Sequence, residues 1–126
     1  MEKITEMFIV LENRPSVLGE LCSYLAENGI NIEAIGVFQD TAKLYVKNVT
    51  KAVKLLAKLN YTTELREVLL VELENRPGAL AEMTSKLGNK GINIEYCYGT
   101  LSKRGNATSV ILDVSDVERA MEVLGS

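Results

Sequence analysis

Apolar and polar positions follow two alternating periods along this chain, and the whole pattern is written twice. Residues 4–11 and 68–74 are rich in Ile, Val, Leu and Phe, and each run stops at Asn-Arg-Pro, which predicts strands ending at a turn. Val17, Leu18, Leu21 and Leu25 then recur at helical spacing, as do Ala79, Leu80, Met83 and Leu87, so each half has a helix with one apolar face. The fixed φ and missing N–H of Pro15 and Pro77 suit a first helical turn. Gly29 and Gly91 stand where a left-handed residue ends a helix.

Strand-like runs follow at 31–38 and 93–101, then the turns Gln39-Asp40-Thr41 and Ser102-Lys103-Arg104-Gly105-Asn106. Ala42, Leu44 and Val46 alternate with Lys43, Tyr45 and Lys47, which predicts a strand with one wet face; 107–114 is its counterpart. A second helix is predicted over 49–60. Its equivalent carries Val117, Ala120, Met121 and Leu124 inward, opened by a capping box from Ser115 to Glu118.

The first unit, 1–66, closes with a strand over 61–66, giving the order βαββαβ of a ferredoxin-like fold. The second unit, 67–126, repeats the order without the last strand. The fold class is therefore α+β: two ferredoxin-like units, each an antiparallel sheet with helices on one face. The missing strand leaves an edge that needs a cover, either an assembled dimer or residues 1–5.

The repeat has an offset of 62, and from 11 to 33 the two copies are identical at 14 of 23 positions. A shared core explains the apolar identities. Asn13, Arg14 and Asn31, with their copies Asn75, Arg76 and Asn93, need another reason. Charge narrows the choice: the net charge is −3 and Lys and Arg are scattered singly, which argues against a phosphate-backbone partner. The longest aliphatic run, Val68-Leu69-Leu70-Val71, is far below the roughly 20 residues of a membrane span, and the first residues lack a signal-peptide layout. A soluble cytoplasmic protein is expected, with no nucleic-acid or membrane partner. Cys22 and Cys97 have no matching spacing and the chain has no His, so no metal or other cofactor is expected; both cysteines read as buried or half-buried free thiols.

The run Leu73-Glu74-Asn75-Arg76-Pro77-Gly78-Ala79-Leu80, the apolar helix after it, Gly91-Ile92-Asn93-Ile94 and the ferredoxin-like order together resemble the ACT domain. Both halves carry the pattern. The chain is similar to free-standing tandem ACT proteins, and in layout to the regulatory tandem of aspartokinases. The resemblance implies a non-catalytic regulatory module that binds an amino acid where two domains lie edge to edge. A loop side chain and an Asn opening the partner's second strand would hold the ligand. On this chain those are Asn13 and Asn75 in the loops, and Asn31 and Asn93 in the strands, with Arg76, Gly78, Ala79, Leu80 and Ile32 beside them. An Asn amide both donates and accepts, as a zwitterion requires, and helix-start N–H groups favour a carboxylate. Ser16 replaces Gly78 in the first loop, so the sites are expected to be unequal, with Asn75 and Asn31 outweighing Asn13 and Asn93. Asn13 and Asn75 also fit plain capping or turn roles.

Other functions remain open in the residues. A small enzyme on this fold would show a nucleophile with a base, a phosphate loop or a carboxylate pair; the first two patterns are absent, and among 17 acidic residues no spacing singles out a pair. An RNA-binding sheet would need exposed aromatics among basic residues. A dimerisation module without ligand shares every feature of the amino-acid sensor except the ligand. A homodimer is expected in either case. Edge pairing through second strands would separate the joined strands of consecutive units by roughly 29 Å at about 4.8 Å per strand, whereas the residues between them span only about 10 Å. The ligand-forming interface is therefore expected between chains, with a regulated enzyme acted on in trans.

Overall fold

Ten elements alternate as β1 (Glu2–Val10), α1 (Val17–Glu27), β2 (Ala34–Phe38), β3 (Thr41–Tyr45), α2 (Val49–Lys58), β4 (Glu64–Glu74), α3 (Ala79–Asn89), β5 (Ile94–Leu101), β6 (Ala107–Val114) and α4 (Val117–Leu124). The computed structural model describes residues 1–101 and 107–125; the turn expected at 102–106 lies outside the described residues. The α+β class holds, and the chain forms two ferredoxin-like units. One comprises Thr5–Arg66 and the other Met1–Ile4 together with Glu67–Ser126.

In the unit Thr5–Arg66 the strands run β2-β3-β1, with the start of β4 beside β1. Antiparallel register pairs Met7 with Leu44 and Ile35 with Leu44, so Leu44 sits mid-sheet, fully buried. Met7, Ile9, Leu21, Leu25, Leu44 and Leu56 form its core between sheet and helices. The second unit runs β5-β6-β4, with residues 2–4 of β1 beside β4. Its core gathers Leu69, Val71, Met83, Leu87, Leu112 and Val114. The first residues of the chain thus stand in the place of a further strand beside β4 and satisfy backbone groups along it.

The helices end as their sequences dictate. Gly29 at φ 79° and Gly91 at φ 74° take the left-handed position. Ile30 donates its N–H to Leu25 O and Ile92 donates to Leu87 O, the long bond of a Schellman motif. Asn60, at φ 66°, closes α2 in the same way, with Tyr61 donating to Leu56 O.

Three expectations need correction. Strands predicted separately at 61–66 and 68–74 are one strand, β4, because nothing between them can turn the chain: no Gly, Pro or Asn interrupts Glu64–Glu74. The cap of α4 is Asp116, whose Oδ1 accepts from Arg119 N at 3.0 Å; Ser115 instead accepts from Asn93 N at 3.0 Å through its hydroxyl. Lys43 is only 9% exposed on a face predicted to be wet. Its Nζ lies 4.9 Å from the Phe8 ring centre and 5.6 Å from that of Phe38, and its β2 register partner, Gly36, has no side chain to compete for the space. No helix among the described residues is long and apolar enough to cross a membrane.

Ile4 is 6% exposed and belongs to the segment that completes the second unit. Ile4→Ala is expected to cost roughly 2–5 kcal/mol, read as a lower urea midpoint, with hydrogen-exchange protection falling first along β4 from residue 67 onward. An unchanged midpoint would show that residues 1–4 do not stabilise that unit.

Candidate functional site

The loop between β4 and α3 changes chain direction in four residues. Arg76 N donates to Glu74 O at 3.0 Å, a tight turn centred on Asn75, and Ala79 N donates to Arg76 O at 3.3 Å. Pro77 then Gly78 at φ 91°, ψ −16° match the central residues of a type II turn. Proline therefore precedes the helix rather than opening it, and the cap position is Gly78. The first unit repeats this geometry: Arg14 N donates to Glu12 O at 3.0 Å, and Ser16 holds φ 76°, ψ −18°. Ser16 thus keeps the loop conformation of Gly78 in spite of its side chain. A Cβ on Gly78 would meet nothing nearer than the Arg76 guanidinium at 3.7 Å, so the left-handed φ, not crowding, calls for glycine there.

Neither α1 nor α3 has a side-chain cap. In α3 the turn uses the N–H of Ala79, and Glu82 N donates to Gly78 O at 2.9 Å. The N–H groups of Leu80 and Ala81 have no partner among the described residues.

Beside this helix start lies an open groove of about 420 Å³. Leu73, Ala79, Leu80 and Val110 supply its apolar wall, Asn75, Arg76 and Glu74 its polar rim, and Cys97, Tyr98, Gly99 and Thr108 the strand side. Its size suits a small ligand. Gly99 is indispensable to the floor, since a Cβ there would lie 2.6 Å from Ser109 O and Val110 Cγ1. Cys97 is exposed, not half-buried as expected, yet partial burial pushes its thiol pKa up, so it lines the groove as a neutral thiol.

Four predicted residues, Asn75, Arg76, Ala79 and Leu80, meet at the groove, and Gly78 shapes the same loop. Asn75 is exposed and its amide has no hydrogen-bond partner among the described residues. Asn93 is not in the groove lining; its backbone is tied to Ser115, whose N–H donates to Asn93 O at 2.9 Å. In the unit Thr5–Arg66, Asn13 is exposed in its turn, Asn31 donates weakly to Glu33 Oε1 at 3.4 Å, and Ile32 packs against the core. A shallow depression near Ser16 is lined by Gly19, Glu20, Ser23, Tyr24 and Glu27, none of them predicted.

Arg76 is held on two sides. Its Nε donates to Glu74 Oε2 at 2.7 Å, while Nη1 and Nη2 donate to Glu82 at 3.1 and 2.7 Å. The hydrogen bonds to Glu82, then to Glu74, raise the guanidinium pKa, and the bond from Arg76 holds Glu82 below the usual carboxylate range. Arg14 pairs with Glu12, while Glu20, the copy of Glu82, acts on it only through its charge. Glu74 and Glu82 were missed in the sequence, although both repeat at offset 62 as Asn75 does.

The model of the ACT domain pair matches residues 2–125. Among solved structures, protein BT0572 from Bacteroides thetaiotaomicron is 30% identical with a TM-score of 0.85, covering 98% of this chain and 87% of that one. The ligand-free regulatory subunit of aspartate kinase from Thermus thermophilus is 19% identical with a TM-score of 0.69, covering 99% and 96%. Clostridium acetobutylicum aspartate kinase is 16% identical with a TM-score of 0.66; the match covers 97% of this chain and 32% of the kinase. At these lower identities the kinase likenesses establish the fold alone. No curated protein matches.

Two outcomes test the loop. Ser16→Gly is expected to stabilise the protein by about 1 kcal/mol and Gly78→Ala to destabilise it by about as much, both read by urea unfolding. For Glu82, a folded pKa below the unfolded value means its contribution is complete above the ordinary glutamate range and is lost as pH falls through the lower folded value. Carboxyl-carbon NMR is expected to show Glu82 titrating below the ordinary glutamate range; a midpoint within or above that range would break the clamp assignment.

Proposed function

The chain belongs to the family of ACT domain pairs, and from that premise we propose that it is a non-catalytic regulatory module that binds a free amino acid and signals to an enzyme in trans. The observation that carries this reading is the uncommitted Asn75 amide at a groove beside an uncapped helix start. The amide can accept from the ligand's ammonium group, and the N–H groups of Leu80 and Ala81 can donate to its carboxylate. Asn75 and, from a partner chain, Asn31 and Ile32 form the principal site. Asn13 and Asn93 form the weaker one, in keeping with the strained Ser16 turn and with the tethering of Asn93 to Ser115.

Homodimerisation is supported by edge strands. β2 ends the sheet of its unit, and it exposes Ile35 (39%), Val37 and Phe38 (52%). Such an edge invites pairing with another chain. Continuity of β4 from residue 64 to 74 leaves no linker between the units. A regulated enzyme partner accords with the name of the Thermus thermophilus relative, a regulatory subunit of aspartate kinase.

Thermal denaturation with each of the twenty amino acids tests the reading, with at least one expected to raise the midpoint. With that ligand, Asn75→Ala should weaken binding about five- to hundredfold, the loss of one desolvated hydrogen bond, and Asn13→Ala should weaken it less. Equal losses would refute the inequality of the sites. Sedimentation of dilute protein is expected to show a dimer; a dimer that no amino acid stabilises would favour a ligand-free dimerisation module.

A further inference from the structure

Around the groove the charges are not balanced. The Arg76 guanidinium has five N–H donors. Its Nε is used by Glu74, and both terminal nitrogens by Glu82, with Nη1 also 3.3 Å from Pro77 O. Four of the five donors are thus engaged, so an incoming carboxylate finds one Nη2 N–H and gains the fork geometry of a bidentate pair only by displacing a glutamate. Two carboxylates share one guanidinium, so the cluster carries one net negative charge, with Glu74 and Arg76 in the groove lining and Glu82 bonded to Arg76 from the first turn of α3. Among the described residues Glu74 and Arg76 are the only charged ones of the lining, and the rest is Leu73, Ala79, Leu80, Val110 and neutral groups.

We infer that the Glu74–Arg76–Glu82 cluster is the specificity determinant of this groove: it rejects amino acids with acidic side chains and admits those with neutral, apolar ones. The inference rests on the amino-acid reading above. Arg76 acts as a positioning residue, bracing the turn between the end of β4 and the first turn of α3. An acidic side chain would meet like charge and, among the described residues, only a guanidinium already paired with two carboxylates, whereas an aliphatic one meets the apolar wall.

The test is calorimetric titration of L-isoleucine and of L-aspartate into the full chain at neutral pH and low salt, with wild type, Glu82→Gln and Arg76→Gln. Wild type is expected to bind L-isoleucine at least about tenfold more tightly than L-aspartate. Glu82→Gln removes one negative charge and frees an arm of Arg76, so the preference should shrink about tenfold. Arg76→Gln leaves two carboxylates uncompensated and should widen it. A purely structural role would scale both affinities together and leave their ratio unmoved. A wild-type preference for L-aspartate, or a ratio unchanged in both folded variants, overturns the inference. If neither probe binds while another amino acid raises the thermal midpoint, the inference fails alone; if no amino acid does so, the proposed function fails with it.

Discussion

The site depends on one backbone constraint, a residue held at positive φ directly after a proline. Pro77 fixes the first central position of the turn and Gly78 takes the left-handed second one at φ 91°. That geometry ends β4, starts α3 and bends the chain in too few residues for any side chain to fold back as a cap. The consequences follow in order. Asn75 is thrust out of the sheet, the N–H groups of Leu80 and Ala81 stay open among the described residues, and Ala79 and Leu80 line the groove. A helix with an ordinary Ser or Asp cap would have its first-turn donors already satisfied. In α2 and α4 that is the case, with Asn48 and Asp116 as caps. The uncapped helices are the two that follow the repeated loop.

Duplication fixed this loop twice, and the copies have since parted in their energetics while keeping their shape. Ser16 adopts nearly the same φ and ψ as Gly78, yet a side chain in the left-handed region costs roughly 1–2 kcal/mol. Packing in the unit Thr5–Arg66 must offset that cost, and its core is well suited to do so, with Met7, Ile9, Leu25, Leu44 and Leu56 fully buried. The brace differs as well. Arg76 reaches both Glu74 and the first turn of α3, while Arg14 has only Glu12 as its hydrogen-bonded partner. Exposed ion pairs singly contribute little; a bidentate pair joined to a third charge is the arrangement in which geometry matters.

The fold was legible because its signals are local and repeated. Gly29 and Gly91 end helices as only left-handed positions do, and the alternation of Ala42 and Leu44 places them in the core. What stayed hidden depends on partners distant in sequence. The single strand β4 is the exception, since the lack of any Gly, Pro or Asn across Glu64–Glu74 was there to be read. Ser115 and Asp116 are equally good caps on paper, and Asn93, 22 residues earlier, claims the serine hydroxyl. Lys43 reads as solvated until Phe8 and Phe38 arrive from neighbouring strands. Of the candidate site, the Asn75 loop was legible from the repeat alone. The groove wall was not, since Leu73, Gly99 and Val110 look like any strand residues. Glu82 was overlooked because an acidic residue on an exposed helical face ordinarily has only water for a partner.

On the amino-acid-binding reading proposed above, a site built on so constrained a loop has a thermodynamic advantage over one built on a mobile loop. Ordering several residues on binding costs about 1–2 kcal/mol for each backbone unit fixed, which a small ligand with few contacts cannot readily offset. Proline, the left-handed turn and the two-sided hold on Arg76 fix the Asn75 loop before any ligand arrives, so contact energy is kept for affinity. The same rigidity limits what binding can do inside the loop. A ligand shifts an equilibrium only by its difference in affinity for two states, and a loop with one state offers no difference. On the same reading, any signal from this groove must arise where the loop meets another surface, such as the proposed second chain or enzyme partner, because only there can a ligand prefer one arrangement over another.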